Sequence, residues 1–370
     1  MIARRALLLS PVATLVQCRR RRGTGFDGYA IVANREGKTV TAVDLTTFAA
    51  TRQIALEAKP AAVIAHPRRP LAFVLVPETG TVCEIEAAGL KLLRKAQVAR
   101  TAHSMRLAAG GRSLWLLCRE SRQLVELDLD RFQPVSRIAL PAEPAGFDLS
   151  PDGKLAAASL EDSGAVVFVE LENRRCWRPI AAAGRVGKIR FRSDSRQLLA
   201  GSAGEPMLTI VEAPAGRVVV RLPLAIRPRE FCMKADGGQL FLTGEGMDAV
   251  VVVYPYRTEV AETLLAGKAP ASMAVSGAPD NLLVSNPSTG DVSILDLETR
   301  RLTAVVAVGE GPASIVVTPD NQYALVLNQR SGNMAVIRLA AVVARRTRQA
   351  PLFTMVPVGW QPVSAAVCGL

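Results

Sequence analysis

The sequence predicts an all-β protein that folds as a single β-propeller of eight four-stranded blades, and two observations carry this prediction. The first is an internal repeat of 42 residues, in which an aliphatic residue precedes an acidic residue at six positions and a polar residue at two. These eight positions are Asp44, Glu86, Asp128, Glu170, Glu212, Tyr254, Asp296 and Arg338. The second is that each unit divides into short β-rich runs separated by turn-forming residues. A period of this length is the spacing of one propeller blade.

The count of eight blades rests on the constancy of this stride. All eight positions keep the same spacing without drift along the chain. A seven-bladed ring, the commoner number in similar propellers, is the alternative.

Ahead of the repeats, residues 1–17 have the composition of a secretory signal peptide. Two arginines in the first five residues precede Ala6 to Val16, a largely apolar run that is too short to span a bilayer as a mature helix. Leu15 stands three residues before Cys18, as in a lipoprotein signal, whereas Gln17 departs from the small residue that such signals place there. Lipidation of Cys18, ordinary cleavage nearby and retention as an intracellular N-terminus stay open, and we expect the first.

The predicted domain organisation follows from this assignment. Residues 18–28, rich in arginine and glycine, would form a tether whose charge favours anionic headgroups, and residues 29–370 would form the propeller. We therefore expect an exported protein of the cell envelope, held at the membrane by a lipid on Cys18.

The two ends of the chain complete one blade. If the strands of a blade are named a to d from the channel outwards, Tyr29 to Leu56 supplies strands b, c and d, whereas Trp360 to Leu370 is a lone strand a. Joining them closes the ring and leaves no open sheet edge between the first and last blades.

The unit that ends at Val308 shows the four strands most clearly. They are predicted over Ala271–Ser276, Leu282–Ser285, Val292–Leu297 and Leu302–Val308. The turns between strands a and b, such as Ser150-Pro151-Asp152-Gly153, combine a proline that fixes φ, an aspartate that caps the turn and a glycine that accepts positive φ. The acidic position at the end of strand c is interpreted as structural, because its carboxylate can accept backbone N–H groups of the c–d turn.

The repeats resemble the YVTN-type β-propeller repeats, which are related in pattern to lactonase-like propellers. Tyr29-Ala30-Ile31-Val32-Ala33-Asn34 carries the resemblance, with Gly37 and Val43-Asp44 following, and Leu283 to Asn286 and Tyr323 to Asn328 repeat the theme. The resemblance covers about 340 residues from Tyr29 and implies the fold rather than a chemistry. The middle repeats, for example Leu198 to Ser202, depart from it.

The residue types present argue against a metal or haem cofactor. The chain contains only two histidines, His66 and His103, and no cysteine–histidine set with metal-ligand spacing. We expect no cofactor, and we expect the five cysteines beyond Cys18 to be small buried hydrophobic residues.

The formal charge of +12 raises the question of an anionic partner. Many cations, including Arg94, Arg137 and Arg221, fall on or beside the predicted strands d, where charged side chains discourage edge-to-edge pairing; an anionic surface or polymer as partner is the alternative. Nucleic acid is disfavoured, because aromatic residues are 5% of the chain and do not alternate with the basic positions.

Candidate ligand-binding residues come from the face of strand a that should line the central channel. We align the eight strands a on Pro60, Ser104, Pro144, Lys188, Pro228, Pro270, Pro312 and Pro362. Because side chains alternate along a strand, this alignment places Arg106, Arg190 and Glu230 in an upper ring, with Asp148 and Arg192 in the ring below. Such a net cationic group suits a carboxylate-bearing ligand; a salt-bridged channel plug without a ligand is the alternative.

The sequence is compatible with two functions. The first is a non-catalytic binding or interaction scaffold, acting as a monomer, whose partner is an envelope protein or a small anionic ligand. The second is a lactonase-like hydrolase or lyase, with Glu230 as a base beside Arg190.

Overall fold

A computed structural model describes residues 25–160, 162–278, 280–343 and 350–370 of the chain. The predicted signal peptide over residues 1–17, Cys18 and residues 19–24 of the tether lie outside the described residues.

The described chain consists almost entirely of short strands. In chain order they are β1 Gly28–Asn34, β2 Thr39–Asp44, β3 Ala49–Ala55, β4 Ala62–Ala65, β5 Leu71–Val76, β6 Thr81–Glu86, β7 Lys91–Gln97, β8 Ser104–Leu107, β9 Ser113–Cys118, β10 Gln123–Asp128, β11 Gln133–Ala139, β12 Gly146–Leu149, β13 Leu155–Leu160, β14 Ala165–Glu170, β15 Arg175–Cys176, β16 Ile180–Ala181, β17 Val186–Phe191, β18 Gln197–Ser202, β19 Met207–Glu212, β20 Val218–Pro223, β21 Arg227–Met233, β22 Leu240–Glu245, β23 Ala249–Tyr254, β24 Glu259–Leu265, β25 Met273–Val275, β26 Asn281–Asn286, β27 Asp291–Asp296, β28 Arg301–Ala307, β29 Pro312–Val317, β30 Tyr323–Asn328, β31 Asn333–Arg338, β32 Leu352–Pro357 and β33 Pro362–Gly369. A 3-10 turn at Pro77–Thr79 and a short helix α1 at Leu339–Val343 complete the elements.

Eight antiparallel sheets form a ring, which confirms the predicted eight-bladed propeller and excludes seven blades. Blades 2 to 8 each use consecutive strands from β4 to β32, and the outer strand of blade 4 is divided into β15 and β16. From the channel outwards, blade 1 has the strand order β33, β1, β2, β3. The last strand of the chain is therefore its inner strand a. Each inner strand contacts the inner strand of the next blade around the whole ring.

The apolar core is distributed over the seams between blades. Eight clusters of buried side chains lie one at each seam. The cluster between blades 8 and 1 contains Ala365 of strand β33 together with Val32, Leu325 and Val336. The closing strand is therefore part of the packing as well as of the hydrogen-bonded sheet.

The residues that carry the YVTN-type resemblance also act at seams. Asn34 ends strand β1, and its Nδ2 donates to the Val358 carbonyl of the preceding blade at 3.2 Å. Gly359 follows with φ +149, and a Cβ there would lie 2.6 Å from that Nδ2, so a side chain does not fit. Asn328 repeats the contact with the Val308 carbonyl at 2.7 Å and with Gly309. The asparagine thus fastens one blade to the connection that enters it.

The aspartates at the ends of strands c in blades 1, 3 and 7 cap turns, as predicted from the repeat, whereas Glu212 at the same position of blade 5 pairs with Arg217. Asp44, Asp128 and Asp296 each accept two backbone N–H groups of the c–d turn that follows. The N–H of Thr299 holds the pKa of Asp296 below its usual value. These carboxylates are therefore structural.

Arginines of the outer strands bind across the seams, a use that the sequence did not indicate. The guanidinium of Arg94 donates to both oxygens of Glu84 at 2.6 and 2.8 Å, and the Glu84 side chain is 1% exposed. The same guanidinium reaches the carbonyls of Leu129 and Asp130 in the next blade. Arg221 donates to the Ala182 carbonyl of the preceding blade in a similar way.

Three of the cysteines are buried thiols, as expected. Burial raises the pKa of Cys83 and of Cys118 to about 11 and that of Cys368 to about 12. Cys176 and Cys232 are partly buried.

No helix in the described part of the chain has the length and apolar character needed to cross a membrane.

Deletion of Trp360 to Leu370 should open the ring. The deletion removes strand β33, leaves β1 without its partner on that side and uncovers two seams, at a cost on the order of 5 kcal/mol, comparable with the net stability of an ordinary domain. The truncated protein should aggregate, as measured by size-exclusion chromatography and thermal unfolding. Deletion of Leu370 alone, which is 62% exposed and follows the strand, is the control. A soluble truncated monomer with an unchanged melting curve would contradict this role of the strand.

Candidate functional site

The 42-residue stride continues through the inner strands of blades 2 to 8, and pairing with β1 adds the closing strand β33, so that two rings of side chains line the channel. The upper ring lies near the face that carries the b–c and d–a connections, and the lower ring lies two residues further along each strand. The upper ring is Ala62, Ser104, Gly146, Lys188, Glu230, Ser272, Ser314 and Ser364. The lower ring is Ile64, Arg106, Asp148, Arg190, Cys232, Ala274, Val316 and Ala366.

The structure corrects the predicted register of two blades. Arg106 pairs with Trp115 and Arg190 with Leu199, so both arginines lie in the lower ring, level with Asp148, rather than in the upper ring with Glu230. The alignment failed because blades 3 and 5 have no proline at the start of strand a, which led to an anchor two residues too late. Pairing with strand b sets the register of strand a. Alignment by the stride of the repeat instead of by prolines places Arg106, Asp148 and Arg190 at one level.

Asp148 is the centre of the charged group. Its side chain is 6% exposed, and its Oδ2 accepts the Phe191 N–H at 2.9 Å. Its Oδ1 lies 3.5 Å from Arg106 Nε and 3.7 Å from Arg190 Nη1. Two cations therefore share one buried carboxylate across three consecutive blades, which leaves one net positive charge.

The two arginines keep unused hydrogen-bonding capacity. Nη1 of Arg106 donates to the Met105 carbonyl at 3.1 Å, and the guanidinium carbon lies 5.8 Å from the centre of the Phe147 ring. Its buried Nε has no hydrogen-bond partner within the described chain. The Arg190 side chain is 47% exposed and reaches Asp148 only at ion-pair distance. Both guanidiniums can donate further hydrogen bonds to an anion.

Two of the predicted site residues lie apart from this group. Glu230 in the upper ring pairs with Lys188 at 2.7 Å instead of standing beside Arg190. Arg192 is nearly buried outside the channel group, where it holds Asp194 at 2.6 Å and lies over the Tyr256 ring. The Arg192 guanidinium holds the pKa of Asp194 below its usual value. Of the five candidates, Arg106, Asp148 and Arg190 come together, whereas Glu230 and Arg192 do not join them.

Above Arg106 lies a cavity of about 300 Å³, which we name the mouth cavity. Its lining includes the cationic Arg106, Lys188 and Arg229, and His103, whose pKa is lowered by burial and by the charge of Arg119. No carboxylate is among its described lining residues. Sequence reasoning missed His103, Lys188 and Arg229, although the stride alone would have placed Lys188 in the channel.

A second cavity of about 260 Å³ lies below Arg106 and is lined by Asp148, Arg190, Ser150 and Ser193. The Arg106 side chain therefore borders both spaces. Among the predicted site residues, Arg106 is the one that both lines the mouth cavity and forms an ion pair with the buried Asp148.

Comparisons with known proteins agree on the fold. No protein-family model and no curated protein matches the chain. Among solved structures, dihydro-heme d1 dehydrogenase NirN in complex with DHE is similar with a TM-score of 0.78 and 15% identity, over 96% of this chain and 78% of that one. Kuenenia stuttgartiensis hydrazine synthase gives 0.57 and 20%, over 88% and 99%. The β-propeller domain of Myceliophteria thermophila Cps50 (Swd1) gives 0.61 and 13%, over 76% and 97%. These likenesses show the β-propeller fold.

Replacing Arg106 and Arg190 together by alanine should destabilise the protein. The change leaves the buried Asp148 carboxylate with the Phe191 N–H as its remaining partner, and an uncompensated buried charge costs about 3–5 kcal/mol. Adding Asp148→Asn should restore most of this loss, because a neutral amide can still accept that N–H. Arg190→Ala alone should cost about 0–1 kcal/mol, since the ion pair is half exposed. Urea unfolding measures all three, and a triple variant as unstable as the double variant would contradict the account.

Proposed function

We propose that the protein is a binding protein of the YVTN-type propeller class that holds a small anionic ligand in the mouth cavity. The observation that carries this proposal is the cavity itself, bordered by Arg106, Lys188 and Arg229 with no carboxylate among its described lining residues. In the group beneath it Arg190 balances the charge of Asp148, so the charge of Arg106 is left without a counter-charge of its own.

The chemistry of these side chains favours a carboxylate or phosphate group on the ligand. Guanidinium groups present paired N–H donors that match the two oxygens of such groups. A space of about 300 Å³ is at the lower end of the range of small-molecule sites, which fits a compact anion. The carboxylates of Glu230 and Glu245 pair with Lys188 and Arg229, and they hold these cations at the rim without lining the cavity.

The fold supports binding rather than a particular reaction. The similar NirN structure is a complex with DHE, so a protein with a similar fold has been solved with a bound ligand. The lactonase-like alternative relied on Glu230 acting as a base beside Arg190, and the ion pair of Glu230 with Lys188 at 2.7 Å removes that reason for it.

Binding of a probe anion tests the proposal. Citrate and inorganic phosphate, titrated calorimetrically in low salt, should bind, and Arg106→Ala should weaken binding at least tenfold because it removes the guanidinium that borders the cavity. Arg217→Ala removes the same charge at the outer edge, where the side chain is 77% exposed, and is the matched control. Absence of binding by both anions at millimolar concentration, or equal weakening by the two variants, would overturn the proposed site.

We also propose that the protein is exported and held at the cell envelope by a lipid on Cys18. The apolar run that ends at Val16 and the position of Leu15 support this. The wild type should incorporate a fatty-acid analogue and sediment with membranes, whereas Cys18→Ser should do neither. Equal absence of label in the two proteins would exclude the lipid anchor while leaving simple secretion open.

A further inference from the structure

A further cavity lies away from the channel, at the seams between blades 3, 4 and 5. It has a volume of about 700 Å³ and opens towards the face that carries the a–b and c–d turns. We name it the seam cavity, and the residues that matter for its chemistry are Trp115, Glu126, Glu170, Glu172, Trp177 and Ser195.

Two of the three tryptophans of the chain line this space. Trp115 of β9 is 3% exposed and belongs to the seam between blades 3 and 4. Trp177 follows β15, where the outer strand of blade 4 is interrupted before β16. The Nε1–H of Trp177 is buried and has no acceptor within the described chain. A buried donor of this kind needs an acceptor oxygen.

The charge of the seam cavity is opposite to that of the whole chain. Five carboxylates and two cations line it, so its local balance is −5 + 2 = −3, whereas the chain carries +12. Asp152 is occupied in its own turn and Asp194 by Arg192. Glu126, Glu170 and Glu172 form no ion pair within 4 Å in the described part of the chain.

The position of Glu126 brings the two kinds of group together. It lies directly opposite Trp115 in the ladder between β9 and β10, so the carboxylate and the indole share one face of the sheet. A cation beside Glu126 would therefore also meet an aromatic surface, and indole is the aromatic group that attracts cations most strongly.

We propose that the seam cavity binds a small organic cation that bears amino or guanidino groups and a carbonyl or hydroxyl oxygen. The carboxylates attract the cationic groups, the indoles contact them, and the oxygen satisfies the Trp177 N–H. A metal ion fits less well, because the described residues contain no group of three or more His, Cys, Asp or Glu side chains placed to hold one. The site is independent of the mouth cavity, since it lies on the opposite face and shares none of its lining residues.

Tryptophan fluorescence tests this directly. Trp360→Phe removes the remaining tryptophan, which is 69% exposed and lies in the connection between β32 and β33, outside the lining of the seam cavity. The emission of this variant reports on Trp115 and Trp177. L-Argininamide, a dication with an amide carbonyl and no carboxylate, should change the emission in a saturable manner, and calorimetry should give the same affinity. L-Arginine, whose carboxylate opposes the cavity charge, should bind at least fivefold more weakly.

Matched variants separate the site from general charge effects. Glu126→Gln with Glu170→Gln, made in the Trp360→Phe background, should weaken L-argininamide binding at least tenfold with an unchanged melting temperature. Glu298→Gln, an exposed carboxylate on blade 7, should leave binding unchanged. The proposal is overturned if neither method detects binding, if both sets of variants weaken it equally, or if calcium ions displace L-argininamide at equal concentration.

Discussion

Closure of the ring by β33 is the constraint on which the rest of the structure depends. The strand pairs with β1 in antiparallel register and packs Ala365 into the seam with blade 8. Each blade has an apolar seam on both sides, so blades 8 and 1 are completely packed only when the seam between them forms. The stride of the repeat gives the register of the inner strands of blades 2 to 8, and pairing with β1 gives that of β33. That register places Arg106, Asp148 and Arg190 at one level on consecutive blades.

The apolar core packs at the seams between blades. Side chains on the channel face of the inner strands are therefore not required for core packing. Ile64, Val316 and Ala366 fill the lower ring elsewhere, whereas blades 3 to 5 carry charge. A buried aspartate is tolerated there because one backbone N–H and two guanidiniums surround it. The same reasoning explains Glu84, whose buried carboxylate is matched by Arg94 and tied to the neighbouring blade.

Much of the fold could be predicted from the sequence, because a repeat reports directly on local pairing. The stride gave the blades, the closure and the capping role of residues such as Asp296. The site was harder. Taking turn residues instead of the stride as anchors displaced Arg106 and Arg190 by one layer and hid Lys188. Contacts across a seam, such as those of Arg94 with Asp130, join residues 36 apart in sequence and leave no mark in the repeat.

Both candidate sites lie in blades that lack one residue of the repeat, the asparagine that ends strand b. Asn34, Asn286 and Asn328 hold this position in blades 1, 7 and 8, whereas the same stride gives Val76, Cys118, Leu160, Ser202 and Gly244 in blades 2 to 6. Local departures from a rule that the rest of a fold obeys are expected at functional sites. Here they come with charge separation: the mouth cavity is lined by cations on one face, and the seam cavity by carboxylates on the other. Edge protection and seam contacts account for the outer arginines, but neither requires this opposition within four adjacent blades, 3 to 6.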